Sequence, residues 1–383
     1  MAAGNSNSNQ AIKTEPVPFF NATAAAFGVD VSASVQRVLE RGQFVLGPQV
    51  QAFERAFADF IGAAHGIGVG NGTDALLLAL LALDVRPGQH VLAAANAGFY
   101  GSTAIARVGA VARYVEADEE RLTLSVPAVQ EALQKEKPAA VIVTHLYGRM
   151  ADMPALTKIC AAAGVPIVED VAQAHGAQLG GRKAGAWGTL GCFSFYPTKN
   201  LGAIGDGGLV TTSDDTLAQR LRALRQYGWQ ERKYEVTLAG GMNSRLDELQ
   251  AAVLLDKLPR LDAANAARRE ISARYNAAFS DLPLRCPPNA EASNVVHLYV
   301  VRSTQRDALR AHLQERGIGC DVHYPIADHL QPVYGRNGDV SLPVTERVCA
   351  EVLSLPCYPG LDATQQQRVI DVVRDFFKRS SGC

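Results

Sequence analysis

A lysine, Lys199, follows a short apolar run in Ser194-Phe-Tyr-Pro-Thr-Lys199-Asn-Leu-Gly, and a carboxylate, Asp170, closes another such run about thirty residues earlier. A lysine presented just past a buried segment can condense with an aldehyde. An acid brought alongside from a neighbouring strand can keep a pyridine nitrogen protonated, so that the ring draws in electrons. Pyridoxal 5'-phosphate chemistry requires that pairing. If a pocket surrounds the lysine, desolvation lowers its pKa and leaves an amine able to attack.

Three further stretches surround this pair. In Pro166-Ile-Val-Glu169-Asp170-Val-Ala-Gln173-Ala-His175-Gly176, Asp170 can meet a protonated ring nitrogen while Gln173 meets a phenolic oxygen on the other edge. Glu169 alternates outward and faces elsewhere. A lone strand-end acid is more often a helix cap than a cofactor partner, and His175 reads more readily as a structural histidine than as a proton carrier. In Gly68-Val-Gly70-Asn-Gly72-Thr73-Asp74, glycines join a short strand to an apolar helix whose free N–H groups would face an anion. A well-capped helix start accounts for the same residues. Ser194 alternates with Phe193 and Phe195, so its hydroxyl can face a phosphate while the rings face the core. The dinucleotide fingerprint fails at Thr73, and no Gly-Lys-Ser/Thr P-loop is present.

The elements that must carry these residues alternate. Strand-like runs at His90–Ala94, Val111–Val115, Ala139–His145, Val165–Asp170, Gly191–Tyr196 and Gly208–Thr212 are separated by helical patterns such as Thr73–Leu83, Pro127–Lys135 and Met153–Ala163. This predicts an α/β fold whose mostly parallel sheet is covered on both faces and binds ligands at the strands' carboxyl ends. The last two runs lack a long crossover and are expected to pair antiparallel. Val50, Phe53, Phe57 and Phe60 form a helical core stripe. A long helical region runs from near Arg245, with a break at Pro259, to about Phe279. The pattern then changes to strands Val295–Arg302 and Ile318–His323 with helices Arg306–Arg316, Thr345–Leu353 and Thr364–Lys378. We therefore expect a mobile tail over 1–18, a large domain over 19–259 and a smaller α+β domain over 260–383.

Composition fits this outline. A chain of 383 residues with 48% hydrophobic and 20% charged residues is an ordinary two-domain globular length, and a net charge of -1 gives no electrostatic reason to bind nucleic acid or an acidic membrane. The seven cysteines are scattered without metal-ligand spacing, which predicts reduced thiols in the cytoplasm and no metal centre. Ala75–Leu83 is too short to span a bilayer, and the polar N-terminus lacks the parts of a secretory signal.

Taken together, the motifs resemble the DegT/DnrJ/EryC1/StrS family of sugar-nucleotide aminotransferases, pyridoxal phosphate enzymes of fold type I. The resemblance rests on Phe44-Val-Leu-Gly-Pro, Asn71-Gly-Thr-Asp-Ala, Glu169-Asp170-x-Ala-Gln173, Ser194-Phe-x-Pro-x-Lys199, Gly241-Met-Asn243-Ser-Arg245-Leu-Asp247-Glu248 and His323-Tyr-Pro. It implies that Lys199 forms the Schiff base and carries the proton, Asp170 pairs with the pyridinium, Gln173 meets the phenolic oxygen, and Gly72, Thr73 and Ser194 hold the phosphate. It also implies a homodimer with shared active sites, in which Asn243 reaches the neighbouring subunit's phosphate. Family members stack an aromatic on the cofactor from the segment that reads here Asn96-Ala-Gly98-Phe99-Tyr100. Gly98 falls at the aromatic position, leaving Phe99 or Tyr100 as partner. Tyr100, His175, Tyr227, Arg245, His323, Tyr324 and His329 are the implied substrate contacts.

Finer motifs are similar to the dTDP-3-oxo-6-deoxyhexose 3-aminotransferases, which use L-glutamate as donor and release 2-oxoglutarate. After the lysine the chain reads Leu-Gly-Ala-Ile-Gly-Asp206-Gly-Gly, where C-4 enzymes tend to read Thr-Thr-Gly-Glu-Gly-Gly. Amination at C-4 of a UDP- or dTDP-4-oxo sugar is the alternative. A related dehydratase is opposed by Lys199 itself, and a non-catalytic regulator by the intact set Lys199, Asp170, Gln173 and Ser194.

Overall fold

A computed structural model describes residues 15–21, 28–230, 232, 234–289, 291–334 and 340–380. Residues 1–14 of the expected tail lie outside the described residues. Of the remainder of that tail, Val17 is buried: its amide donates to Gly317 and its carbonyl accepts from Gly319, pinning it to the C-terminal part of the chain.

The central sheet has seven strands: β1 (His65–Val69), β2 (His90–Ala94), β3 (Val111–Val115), β4 (Ala140–Thr144), β5 (Ile167–Asp170), β8 (Leu190–Ser194) and β9 (Gly208–Thr212). Two short strands, β6 (Gln178–Leu179) and β7 (Arg182–Lys183), pair separately. The sheet order is β1-β9-β8-β5-β4-β2-β3. Neighbours are parallel from β3 to β8, whereas β9 is antiparallel to both β8 and β1, as the missing crossover predicts. The register aligns Thr144 with Asp170 and Ser194 with Gly208, so the ends of β4, β5 and β8 meet the start of β9 at one edge. That edge is where an α/β sheet presents ligands.

Both faces are covered. On one, Phe53 and Phe57 of the helix Pro48–Ile61 pack against Phe193 and Phe195, with Phe57 and Phe193 edge to face at 4.8 Å. On the other, the helix Gly72–Ala82 lies over the sheet, and every residue from Ala75 to Leu80 is buried. Enclosure on all sides explains its lack of a polar face.

A second core gathers around β10 (Tyr299–Arg302) and β11 (Val352–Leu355), which pair antiparallel. The helix Leu261–Phe279 connects the two cores: Leu261 belongs to the first, and Ile271, Tyr275 and Phe279 to the second. Leu122, Leu146 and Tyr147 also enter the second core from earlier in the chain. Three local expectations change here. Before Tyr299 the backbone pairs with Tyr147 and Gly148 instead of a strand. Ile318–His323 makes only isolated bridges, to Val17 and Ser354. The helix Pro343–Glu351 stops before Val352, whose segment becomes β11 because its apolar side chains all find burial there. No described helix is long and apolar enough to cross a membrane.

Candidate active site

At the sheet edge where β4, β5 and β8 end, a cavity of about 680 Å³ opens between the two cores. Gly72, Thr73, Tyr100, Asp170, Gln173, Ser194, Lys199, His323 and Tyr324 all line it. Residues separated by up to about 250 positions are thus brought to one space.

One end of the cavity is a cup. Asn71 caps the helix Gly72–Ala82: its Oδ1 accepts from the Asp74 amide at 2.8 Å, and its carbonyl from Ala75. Among the described residues, the amides of Gly72 and Thr73 have no such partner, and they sit at the positive end of the helix. A Cβ on Gly72 would come within 2.6 Å of Ser194 Cβ, so only glycine lets the Ser194 hydroxyl approach the helix start. The Asp74 carboxylate is turned away, accepting from Ser244 Oγ at 2.8 Å and facing Arg107 at 3.4 Å. The cup therefore suits a dianion.

Asp170 forms the floor. Its Oδ1 accepts from the Ala172 amide at 3.1 Å and its Oδ2 from Thr144 Oγ1 at 3.2 Å, leaving acceptor capacity toward the cavity. Burial raises its pKa, opposed by the Ala172 amide and by the charge of Lys199. Burial pushes the Lys199 amine down to about 8, with Asp170 pulling the other way. Gln173 is oriented by its neighbours. Its Oε1 accepts from the Tyr147 amide at 2.6 Å, which turns Nε2 toward the cavity, where it donates to Tyr324 Oη at 3.2 Å. An aromatic ring with a basic nitrogen at Asp170, an oxygen at Gln173 and a phosphate in the cup fits this donor and acceptor set.

Glu169, next door, points the other way. It accepts from His145 Nε2 at 2.9 Å and from the amides of Gly185, Trp187 and Gly188 at 2.6–2.9 Å. The Ala151 amide donates to His145 Nδ1, so the ring proton sits on Nε2. This is a buried brace for the loop before β8.

Several sequence-based site residues lie outside the cavity. Phe99 takes a left-handed conformation before the helix Tyr100–Arg107, is 42% exposed, and gives its amide to Asp328. Its ring stacks beside Tyr100, not over the Asp170 floor. His175 is fully buried between Phe193 and Phe195, where burial and then Lys199 push its pKa down to about 3, so it is a neutral core residue. His329 is buried against Glu346 at 3.1 Å and near Tyr114. Tyr227, Arg245 and Asn243 do not line this chain's cavity; Asn243 is exposed and bridges Gln226, and Tyr227 stacks on Trp229. Ser244 ties that segment to Gly70 at 2.9 Å, beside the cup.

The cavity also contains residues the sequence reading did not single out. Thr144 ends β4, one residue inside the predicted strand Ala139–His145, and could have been found from that position. Phe19, Phe20, Arg268 and His297 carry no local signal, because their place depends on contacts between distant segments. Tyr324 fills the space over Gly98, where a Cβ would meet its ring at 2.5 Å. The aromatic absent at position 98 is thus matched by one arriving from the second core.

A family model described as the DegT/DnrJ/EryC1/StrS aminotransferase family matches residues 27–374. The chain belongs to this family. It is 42% identical over 373 residues to dTDP-3-amino-3,4,6-trideoxy-alpha-D-glucose transaminase of Streptomyces venezuelae, covering 96% of this chain and 98% of that protein. It is 38% identical over 347 residues to UDP-N-acetyl-3-dehydro-alpha-D-glucosamine 3-aminotransferase of Acidithiobacillus ferrooxidans, covering 90% and 93%. Among solved structures, S. venezuelae DesV superposes with a TM-score of 0.90 at 42% identity, covering 96% of this chain and all of that one. This DegT/DnrJ/EryC1/StrS aminotransferase therefore has the fold and class that its motifs imply.

Proposed function

We propose that this aminotransferase binds pyridoxal 5'-phosphate and moves the amino group of L-glutamate to C-3 of a dTDP-3-oxo-6-deoxyhexose, in deoxyamino-sugar biosynthesis. The observation that carries the cofactor assignment is Lys199 and Asp170 facing one cavity whose far end is an anion cup. Both relatives named above are described as forming or acting on 3-amino sugars linked to a nucleotide, and the Leu201–Gly208 loop agrees with C-3 rather than C-4.

When bound, pyridoxal phosphate supplies an aldehyde carbon and an electron-withdrawing ring. The chain does the rest. The Gly72 and Thr73 amides and the Ser194 hydroxyl hold the phosphate. The Asp170 carboxylate accepts from the ring N–H, and Gln173 Nε2 donates to the phenolic oxygen. Lys199, with its amine near pKa 8, is partly neutral at working pH, so Nζ can both take a proton and return it. Tyr100, His323 and Tyr324 form the wall that positions the sugar. Asn243, with Tyr227 and Arg245 on the same surface, completes the neighbouring subunit's site in a homodimer. Residues 19–259 act as the cofactor-binding domain and 260–383 as the smaller domain, and dispersed thiols favour a cytoplasmic setting.

The test is amination of a panel of 3-keto and 4-keto nucleotide sugars with glutamate as donor, the amino position being read by NMR. Turnover of a dTDP-linked 3-keto sugar with 2-oxoglutarate released supports the proposal. An amino group at C-4, or turnover restricted to UDP-linked sugars, overturns the corresponding part.

A further inference from the structure

One wall of the cavity is positive, and among the described residues no carboxylate balances it. Arg268, in the middle of the helix Leu261–Phe279, is 2% exposed and lines the cavity with His297 and Cys357. Its protein bonds all fall on Nη1, which donates to the carbonyls of Val296, His297 and Cys357 at 3.4, 3.2 and 2.5 Å. Buried Nε has no acceptor, and among the described residues no bond is made by Nη2. Nε and Nη2 form the edge with which a guanidinium grips a carboxylate through two parallel bonds.

Among the described residues, the surroundings offer this charge no counter-ion. The carboxylates lining the cavity are Asp170, Asp206 and Asp321. Asp170 is engaged by Thr144 and Ala172 and faces Lys199. Asp206 is exposed, and Asp321 turns to its own Val322 amide and toward Arg310 at 3.7 Å. His297, whose Nδ1 is held by Asn200 Oδ1 at 3.0 Å, is kept neutral first by burial and then by the charges of Lys199 and Arg268. Burial likewise lowers the Arg268 pKa. A buried cation lacking a partner in the protein is costly unless an anion arrives to meet it.

We propose that Arg268 is the anchor for a carboxylate of the amino donor, gripping it through Nε and Nη2 on the second-core side of the cavity. This rests on the aminotransferase reading above and names the donor subsite of that same cavity. A planar carboxylate matches the free edge. The competing anion source, the diphosphate of the sugar nucleotide, is bulkier and belongs to the other substrate.

Calorimetric titration of the cofactor-bound enzyme with glutarate, a dicarboxylate without the reactive amine, tests the assignment separately from turnover. Arg268→Lys keeps a cation but loses the fork and is expected to weaken glutarate binding roughly tenfold or more, with dTDP binding unchanged. Unchanged glutarate affinity overturns the proposal, and so does an equal loss of dTDP affinity, which would assign the anchor to the diphosphate. Because Arg268 also joins three carbonyls, a crystal structure of the wild-type holoenzyme with glutarate supplements the variant. A carboxylate within hydrogen-bonding distance of Nε and Nη2 supports the assignment, and one bound elsewhere overturns it. Failure to aminate a 3-keto sugar would leave these readouts intact, so the two readings fail separately.

Discussion

Lys199→Met should stabilise the cofactor-free protein while removing transamination. Methionine replaces the buried amine with an unbranched apolar chain of similar length. The amine's pKa falls from 10.5 to about 8 in the folded chain, chiefly through burial. At about 1.4 kcal/mol per pH unit that difference corresponds to roughly 3 kcal/mol held against folding below pH 8. Lys199 is only half-buried, so screening brings the expected gain nearer to about 2 kcal/mol. The sign follows from proton counting. Between pH 8 and 10.5 the unfolded chain binds the extra proton more tightly, so raising pH favours the folded form of the wild type. The penalty is therefore complete below pH 8 and vanishes above 10.5. Calorimetric unfolding of both proteins without cofactor, at one protein concentration, should show the variant melting higher at pH 7 and the gap narrowing markedly by pH 10. A gap that ignores pH, or a variant that melts lower throughout, would refute the reasoning. A glutamate half-reaction surviving in the variant would remove Lys199 from the chemistry.

Adjacent acids should separate stability from function. Glu169→Ala leaves three loop amides and His145 without their acceptor and should cost about 3–5 kcal/mol in denaturant unfolding. Asp170→Asn should fold with near wild-type stability but lose affinity for pyridoxal phosphate and most turnover, measured by absorbance on reconstitution. Gly98→Ala places a methyl 2.5 Å from the Tyr324 ring at a backbone φ of +80°, and should lower stability by about 1–3 kcal/mol and displace Tyr324 from Gln173. Combined with Tyr324→Leu, the steric part of that cost should disappear, so the two changes should be non-additive by more than about 0.5 kcal/mol in a double-mutant cycle.

The sequence revealed most where a residue's task is set by its own neighbours. Alternation in Phe193-Ser194-Phe195 places two rings in the core and one hydroxyl in the cavity, and the same period sends Glu169 and Asp170 to opposite faces. Strand ends and a glycine-rich turn bring Asp170, Ser194 and Gly72 to one edge for the same reason. Local pattern was less informative wherever a position is decided by a distant partner. Val352 and Leu353 read as a helix end until β10 is there to pair with them, and Val295–Leu298 reads as a strand until Tyr147 and Gly148 take its hydrogen bonds. His175 already reads more readily as structural than as a proton carrier, and burial against Phe193 and Phe195 keeps it neutral in the core.

The same distinction explains why Gly98 and Arg268 were hard to read. A glycine where an aromatic is expected looks like a loss, yet its missing side chain is the space that Tyr324 occupies from the far end of the chain. An arginine inside a long helix carries no local signal of its place, and only the fold buries it against three carbonyls beside the cavity. In both cases the meaning of the residue lies in the gap between two cores. The floor and cup come from the first core, while Tyr324, His323, His297 and Arg268 come from segments associated with the second. Cofactor-binding features should therefore tolerate changes at the second core better than substrate recognition does. A substitution such as Val373→Ala, deep in that core, should depress turnover through positioning of donor and sugar before it weakens cofactor affinity.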